Sequence, residues 1–311
     1  LGVIYSRLGK LSPAIAMLNK AIELSPDYLE AYIGLGVLCE MKKDLPGAIS
    51  NFEKALRIDP LNIKVYYSLG NLYYRANRRD DAAHQYELLV KLNPKDLEAY
   101  IQWSGMYIRD KRPKEAIAVL NRVLSEGIKD TSLYLALGYA YGADLRDSDA
   151  LKYYRMALDM SPDSALVRFH LGAYYDKIKK SSLAVSELRE AIRLNPKFSD
   201  AYNYLGYMYA EEGSNLDEAV ALIKKAIELE PDNGAYIDSL GWAYFQKGMT
   251  DEALIELERA VKLEPDDPTV REHMGDIYFK KAFLAQARAE WEKSLKLDPK
   301  QENVRKKLKS R

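Results

Sequence analysis

The chain has 311 residues, 48% of them hydrophobic and 30% charged, and its 46 Lys and Arg balance 46 Asp and Glu. A neutral total disfavours a general nucleic-acid binder, which needs a basic surplus to displace counterions, and no apolar run approaches the ~18 residues of a membrane span. Cys39 is the only cysteine, so no internal disulfide and no cysteine-cluster metal site can form.

The first element is read from "LGVIYSRLGK", which has no initiator Met and no capping residue. Leu1 takes a core position of a first helix whose leading turn is missing, so the chain is expected to be a fragment whose targeting information, if any, lies upstream. From there an apolar-Gly step recurs at Leu35-Gly36, Leu69-Gly70, Leu137-Gly138, Leu171-Gly172, Leu205-Gly206, Leu240-Gly241 and Met274-Gly275, with Trp103-Ser104 in the vacant slot. The step is 34 residues, except for one of 35 between Gly206 and Gly241. Prolines keep the same beat at Pro26, Pro60, Pro94, Pro162, Pro196, Pro231, Pro265 and Pro299, with Ile128 in the gap. An aromatic follows each Gly by three, except at Cys39, and this accounts for part of the abundance of Tyr.

Within each unit, intervals of three and four place one apolar stripe on each of two helices, and the prolines mark the breaks between units. A mid-helix Gly costs roughly 1 kcal/mol against Ala, so its recurrence predicts close approach of the second helix. The small residue expected opposite is Ala48, Ala116, Ala150, Ala184, Ala253 or Ala287. Each hairpin cannot bury its stripe alone and must stack on its neighbours. The expected organisation is a truncated unit over 1–28, then eight units over 29–62, 63–96, 97–130, 131–164, 165–198, 199–233, 234–267 and 268–300, and a capping helix over 301–311. In that last helix Val304 and Leu308 would cover the final stripe while Arg305, Lys306, Lys307 and Lys309 face water.

The sets Tyr32, Leu35, Gly36, Ala48, Phe52, Ala55, Pro60 and Tyr134, Leu137, Gly138, Tyr141, Ala150, Tyr154, Ala157, Pro162 resemble the tetratricopeptide repeat signature. The resemblance implies an all-α fold, a right-handed superhelical solenoid of antiparallel helix pairs whose first helices line a concave face. The last units, "YIDSLGWAYFQKG" and "HMGDIYFKKAFLAQARAEWEKSL", are similar to the ends of bacterial repeat proteins of this kind, many of them of the cell envelope, and this favours the periplasmic side over the cytoplasm. The family's clamp for acidic C-terminal tails does not carry over. Asn71 fits one of its positions, but Tyr67, Ser68, Glu98 and Gln102 occupy the neighbours.

Three departures carry expectations. Gly127 should replace Pro as a helix stop in the unit that also holds Trp103-Ser104. The extra residue in "AEEGSNLDEA" should lengthen the turn between the two helices of its unit. Cys39 should behave as a small buried apolar residue.

No catalytic constellation stands out. His84, His170 and His273 are single residues in separate units without metal-ligand spacing, and Glu211-Glu212 and Asp251-Glu252 diverge on a helix. No cofactor, no metal and no enzymatic activity are expected. What stacking leaves is a groove along the first helices, and the residues expected to face it are Tyr67, Asn71, Tyr74, Arg109, Tyr139, Phe169, Asn203, Tyr207, Asp238, Trp242, Phe245 and Phe279. Their size exceeds what the hairpin core requires, and such patches commonly bind proteins.

Charge is uneven. Residues 200–268 hold 16 acidic and five basic side chains, a net of −11, while residues 269–311 hold 12 basic and six acidic, a net of +6. A basic or amphipathic segment is the partner this favours near 200–268. The expectation is a non-enzymatic adaptor that holds a peptide segment or protein surface to assemble a complex. The alternatives are the substrate-recruiting arm of a larger enzyme and a self-assembling structural protein.

Overall fold

The computed structural model describes residues 11–309, so the expectations for Leu1, Gly2 and Tyr5 lie outside the described residues. Among the described residues there are 18 helices and no strand. The chain divides into two compact units, the first ending at Tyr153 and the second beginning at Tyr154.

The first unit holds α1 (Leu11–Leu24), α2 (Leu29–Met41), α3 (Leu45–Ile58), α4 (Ile63–Arg75), α5 (Arg79–Leu92), α6 (Leu97–Arg109), α7 (Pro113–Ser125), α8 (Thr131–Ala143) and the start of α9 (Asp147–Met160). The second holds the rest of α9, then α10 (Ala165–Lys177), α11 (Ser181–Leu194), α12 (Ser199–Glu212), α13 (Leu216–Leu229), α14 (Gly234–Gln246), α15 (Thr250–Leu263), α16 (Pro268–Lys280), α17 (Leu284–Leu297) and α18 (Glu302–Lys309). Within each unit the helices form antiparallel pairs that stack in sequence, α2 on α3, α4 on α5, and in the second unit α10 on α11, α12 on α13, α14 on α15 and α16 on α17. No helix among the described residues is long and apolar enough to cross a membrane.

Local chemistry sets the boundaries. Side-chain caps open several helices: Asp44 accepts from the Gly47 N–H, Asp96 from Ala99, Asp130 from Ser132, Ser164 from Val167, Asn233 from Tyr236 and Asp267 from Thr269 and Val270. Pairs are closed by three-residue turns. In seven of the eight, the middle residue is left-handed, and only Gly248 among those seven is glycine. Gly127, at φ +76°, follows the end of α7 as the helix stop, its N–H donating to the Leu124 carbonyl at 3.1 Å.

The inserted residue does not lengthen its turn. α12 has 14 residues where the other first helices of the pairs have 13, and the connection Gly213-Ser214-Asn215 keeps three residues. The helix absorbs the insertion because one more turn bond is cheaper than an unpaired backbone. The register change shows in the turn, where Gly213 (φ +65°) and Asn215 (φ +47°) are both left-handed.

The glycines are seams between paired helices, though the contact is shared differently from expectation. A Cβ on Gly206 would stand 2.6 Å from Ile223 Cγ1 and 2.9 Å from the Ala219 carbonyl oxygen. On Gly241 it would stand 1.8 Å from Leu257 Cδ2 and 3.3 Å from the Ala253 carbonyl oxygen. The small residue thus brings its backbone close, and the side chain four residues later fills the space. Where Ser104 stands in place of Gly it is buried, and its hydroxyl turns back to donate to the Ile101 carbonyl at 2.9 Å.

Two further expectations are corrected. Cys39 is half-buried, with Asn51 Nδ2 donating to its sulfur at 3.9 Å. Burial first, then Asp44, pushes its thiol pKa up. In α18, Val304 is fully buried against Ala287 and Trp291. Lys307 does not face water: it bridges Glu272 at 2.7 Å and Asp276 at 2.6 Å because α18 lies along α16 and α17.

Candidate functional site

In the first unit, adjacent first helices are tied by the side chains read as groove residues. Tyr67 on α4 donates from its hydroxyl to Asp96 Oδ1 at 2.6 Å, the residue that caps α6. Burial first, and then this carboxylate, pushes the Tyr67 phenol far up. Tyr74 donates to Asp110 at 3.2 Å, and its ring lies under two guanidiniums, Arg79 at 3.9 Å and Arg109 at 4.8 Å. Arg79 also pairs with Asp110 at 3.1 Å. Tyr67, Tyr74 and Arg109 therefore form a fastening between α4, α5 and α6. Asn71 is exposed, and Tyr139 on α8 is 60% exposed.

In the second unit, Phe169 on α10 is half-buried among Phe198 at 5.1 Å and Tyr204 at 5.7 Å, and Tyr204 donates to Asp176 at 3.0 Å. This packing joins α10 to α12. Phe279 on α16 stacks on Trp291 at 5.8 Å and, with Leu308 and Lys307, lines a separate cavity of about 260 Å³ beneath α18.

Asn203, Tyr207 and Asp238 come together. They line one cleft of about 420 Å³ between α12 and α14, closed at its far side by Glu264, Asp267, Thr269 and Val270. Asn203 Oδ1 is a buried acceptor without a hydrogen-bond partner. Tyr207 is half-buried, and its phenol is pushed up by burial first and then by Glu211 and Asp238.

Asp238 itself is 6% exposed and belongs to a buried pair. His273 Nδ1 lies 3.0 Å from each of its carboxylate oxygens, linking α14 to α16. Burial alone would lower the His273 pKa, but Asp238, with Asp276 and Glu272 behind it, outweighs burial, and the net shift is upward. Trp242 stacks on the His273 ring at 4.2 Å and on Phe245 at 5.2 Å, and neither Trp242 nor Phe245 is among the residues that line the cleft. Trp242 Nε1 is buried without a partner.

In the sequence His273 reads as a lone histidine. Its signal is an interval of one repeat plus one residue from Asp238, which brings the two side chains to facing positions of successive first helices. Among the described residues no group of three or more His, Cys, Asp or Glu converges as a metal ligand set would.

Much of the acidic block is already engaged. Asp217 pairs with Lys247 at 2.6 Å, Glu218 with Arg189 at 2.8 Å, and Asp251 with Lys281. Asp200 accepts from Tyr236 at 2.6 Å, and Glu230 accepts from Ser199. Among the described residues, the negative charge left without a cation at the groove is that of Glu264, Asp267 and Glu211.

A family model described as TPR repeat matches residues 41–77 and 241–282. Models described as tetratricopeptide repeat match residues 67–131 and 174–236, and residues 1–28. No curated protein sequence matches the chain. Among solved structures, the chain is similar to the APC/C hetero-tetramer Cut9-Hcn1, with a TM-score of 0.62 and 18% identity over 96% of this chain. The chain spans 59% of the length of that structure's chain. It is also similar to TTC0263, a thermophilic TPR protein of Thermus thermophilus, with a TM-score of 0.52 and 23% identity over 58% of this chain and 98% of that one. At these identities the likeness is one of fold.

Proposed function

The chain belongs to the tetratricopeptide repeat family, whose repeats serve broadly as protein-interaction scaffolds, and from that premise we propose that it is a non-enzymatic adaptor. Its second unit holds a partner's peptide segment or protein surface along the first helices α12, α14 and α16, and so helps assemble a complex. The observation that carries this reading is the cleft lined by Asn203, Tyr207 and Asp238, with Asn203 Oδ1 a buried acceptor that has no partner among the described residues. A buried polar atom without a partner costs free energy, and a turn of the Asn203 side chain toward a ligand donor in the cleft would remove that cost.

The first unit's groove supports the reading less, since Tyr67 and Tyr74 are spent on fastening α4 to its neighbours. In the second unit the partner is expected to be basic or amphipathic, because the uncompensated charge around the cleft is negative.

The test is capture of partners by the purified chain and by the double variant Asn203→Leu, Tyr207→Ala, with thermal melts showing that both fold. Loss of two well-placed contacts should weaken a groove ligand by about 2–4 kcal/mol. Partners retained at full strength by the folded variant would put binding on another face.

A further inference from the structure

We propose that the cleft between α12 and α14 is a seat for a single cationic side chain, a lysine or arginine of the bound peptide. This rests on the reading that the second unit's groove binds a protein segment, and it deepens that reading by naming the residue type that anchors the segment.

The charged side chains that line the cleft, Asp238, Glu264 and Asp267, are all acidic, and Tyr204 and Tyr207 add aromatic surface. Asn203 Oδ1 is buried and unsatisfied. Glu264 makes no side-chain hydrogen bond or ion pair among the described residues. Asp267 uses Oδ1 for the N–H groups of Thr269 and Val270, at 2.7 and 3.0 Å, which leaves Oδ2 open. No Lys or Arg lines the cleft. Tyr204 and Tyr207, on the same helix as Asn203, also line the cleft and supply aromatic surface against which a cation can lie. Burial is the main cause of the upward shift of the Tyr207 phenol, and Glu211 and Asp238 add to it.

An anion is the competing occupant, since the cleft lies near the first turn of α16. That turn has no free backbone N–H to offer: residue 268 is proline, Asp267 takes the next two N–H groups through its side chain, and its carbonyl accepts from the Arg271 N–H.

The position of Glu264 is built into the fold. A Cβ on Gly234 would stand 2.4 Å from Glu264 Cγ, so the absence of a side chain at the start of α14 is what lets Glu264 lie against that helix at the cleft rim. The neighbouring open pocket of about 480 Å³, lined by Glu230, Asp232 and Asn233, shares Glu264 and continues the acidic surface toward the edge of the unit. A second basic residue of the peptide has a place to go there.

The experiment is an NMR titration of the full chain with N-acetyl-arginine amide and, in parallel, N-acetyl-citrulline amide, which has the same shape without the charge, at ionic strength matched with NaCl. A single anchored side chain holds on the order of millimolar affinity, which chemical-shift mapping detects. The expected result is that the arginine probe shifts the Asn203 side-chain amide and the backbone amides of Ala235, Ser239 and Thr269, and that citrulline does not. Glu264→Gln, a change at an exposed residue, should weaken the arginine probe about fivefold, the scale of one partly exposed ion pair. Equal response to both probes, shifts confined to other acidic sites, or an undiminished response in Glu264→Gln overturns the proposal. If the arginine probe fails while Asn203→Leu, Tyr207→Ala still abolishes partner capture, the groove reading stands and the cation seat falls. If the probe binds as expected and capture is unaffected, the seat stands and the groove reading falls.

Discussion

Asp238 and His273, 35 residues apart, close a buried pair in which the imidazole Nδ1 faces both carboxylate oxygens at 3.0 Å while Trp242 stacks on the ring at 4.2 Å. The pair joins two successive first helices directly beneath the candidate cleft. Glu272 and Asp276 face His273 from its own helix, and Lys307 of α18 holds both.

This pair makes stability depend on pH in a stated direction. Because the folded pKa of His273 is raised, its contribution is fully present below the unfolded value near 6.5 and is lost as pH rises through the higher folded value. His170 acts on the other side: burial lowers its pKa, so it costs stability as pH falls below 6.5. Thermal melts across this range should show wild type losing stability on the alkaline side, and His273→Gln should flatten that limb only. Superimposable profiles would remove the pair from the account.

Gly206→Ala and Gly105→Ala should differ in sign. At Gly206 the added Cβ meets a side chain at 2.6 Å and a backbone carbonyl at 2.9 Å, and the carbonyl cannot step aside. Overpacking of this kind costs about 1–3 kcal/mol, more than the roughly 1 kcal/mol that Ala returns in helix propensity. At Gly105 the nearest atom is Arg109 Nη1 at 3.6 Å, and the same change should stabilise by about 0.5–1 kcal/mol. Urea denaturation of the two variants decides, and equal effects would mean that the seams are not close contacts.

Leu145 sits at φ +59° in the turn before α9 and is 81% exposed, so it carries left-handed strain with no packing in return. Leu145→Gly should raise stability by up to about 1 kcal/mol. Gly213→Ala, at φ +65°, should lower it by about 1 kcal/mol. Differential scanning calorimetry would register both, and a fall in Tm for Leu145→Gly counts against the strain argument.

Lys307→Met should loosen the last pair. Asp276 is pushed up by burial and held down by Lys307, so removing the cation leaves two carboxylates facing each other beside Trp291. The expected cost near neutral pH is about 1–2 kcal/mol, between an exposed and a buried pair. Hydrogen exchange of the α18 amides reads it, and protection equal to wild type would show that Val304 alone anchors the helix.

The repeat was legible because every signal for it is local. Pro, Gly and small residues recur on one beat, and intervals of three and four assign each apolar residue to a face without reference to anything distant. The same arithmetic marked Gly127 as a helix stop. The inserted residue was misplaced because sequence spacing does not distinguish a longer turn from a longer helix; the backbone's demand for hydrogen bonds chose the helix.

The groove was legible only as a face. By itself the sequence determined a run of paired helices and which residues share a face of each first helix, since helical periodicity settles orientation within a repeat. Only the tertiary structure decided which of those residues remain open. Tyr67 meets Asp96, Tyr74 meets Asp110 and Asp238 meets His273 at separations of 29, 36 and 35 residues. Whether two such side chains touch depends on the stagger and rotamers of neighbouring repeats, which no local pattern encodes, and what those contacts leave over is the cleft around Asn203 and Tyr207.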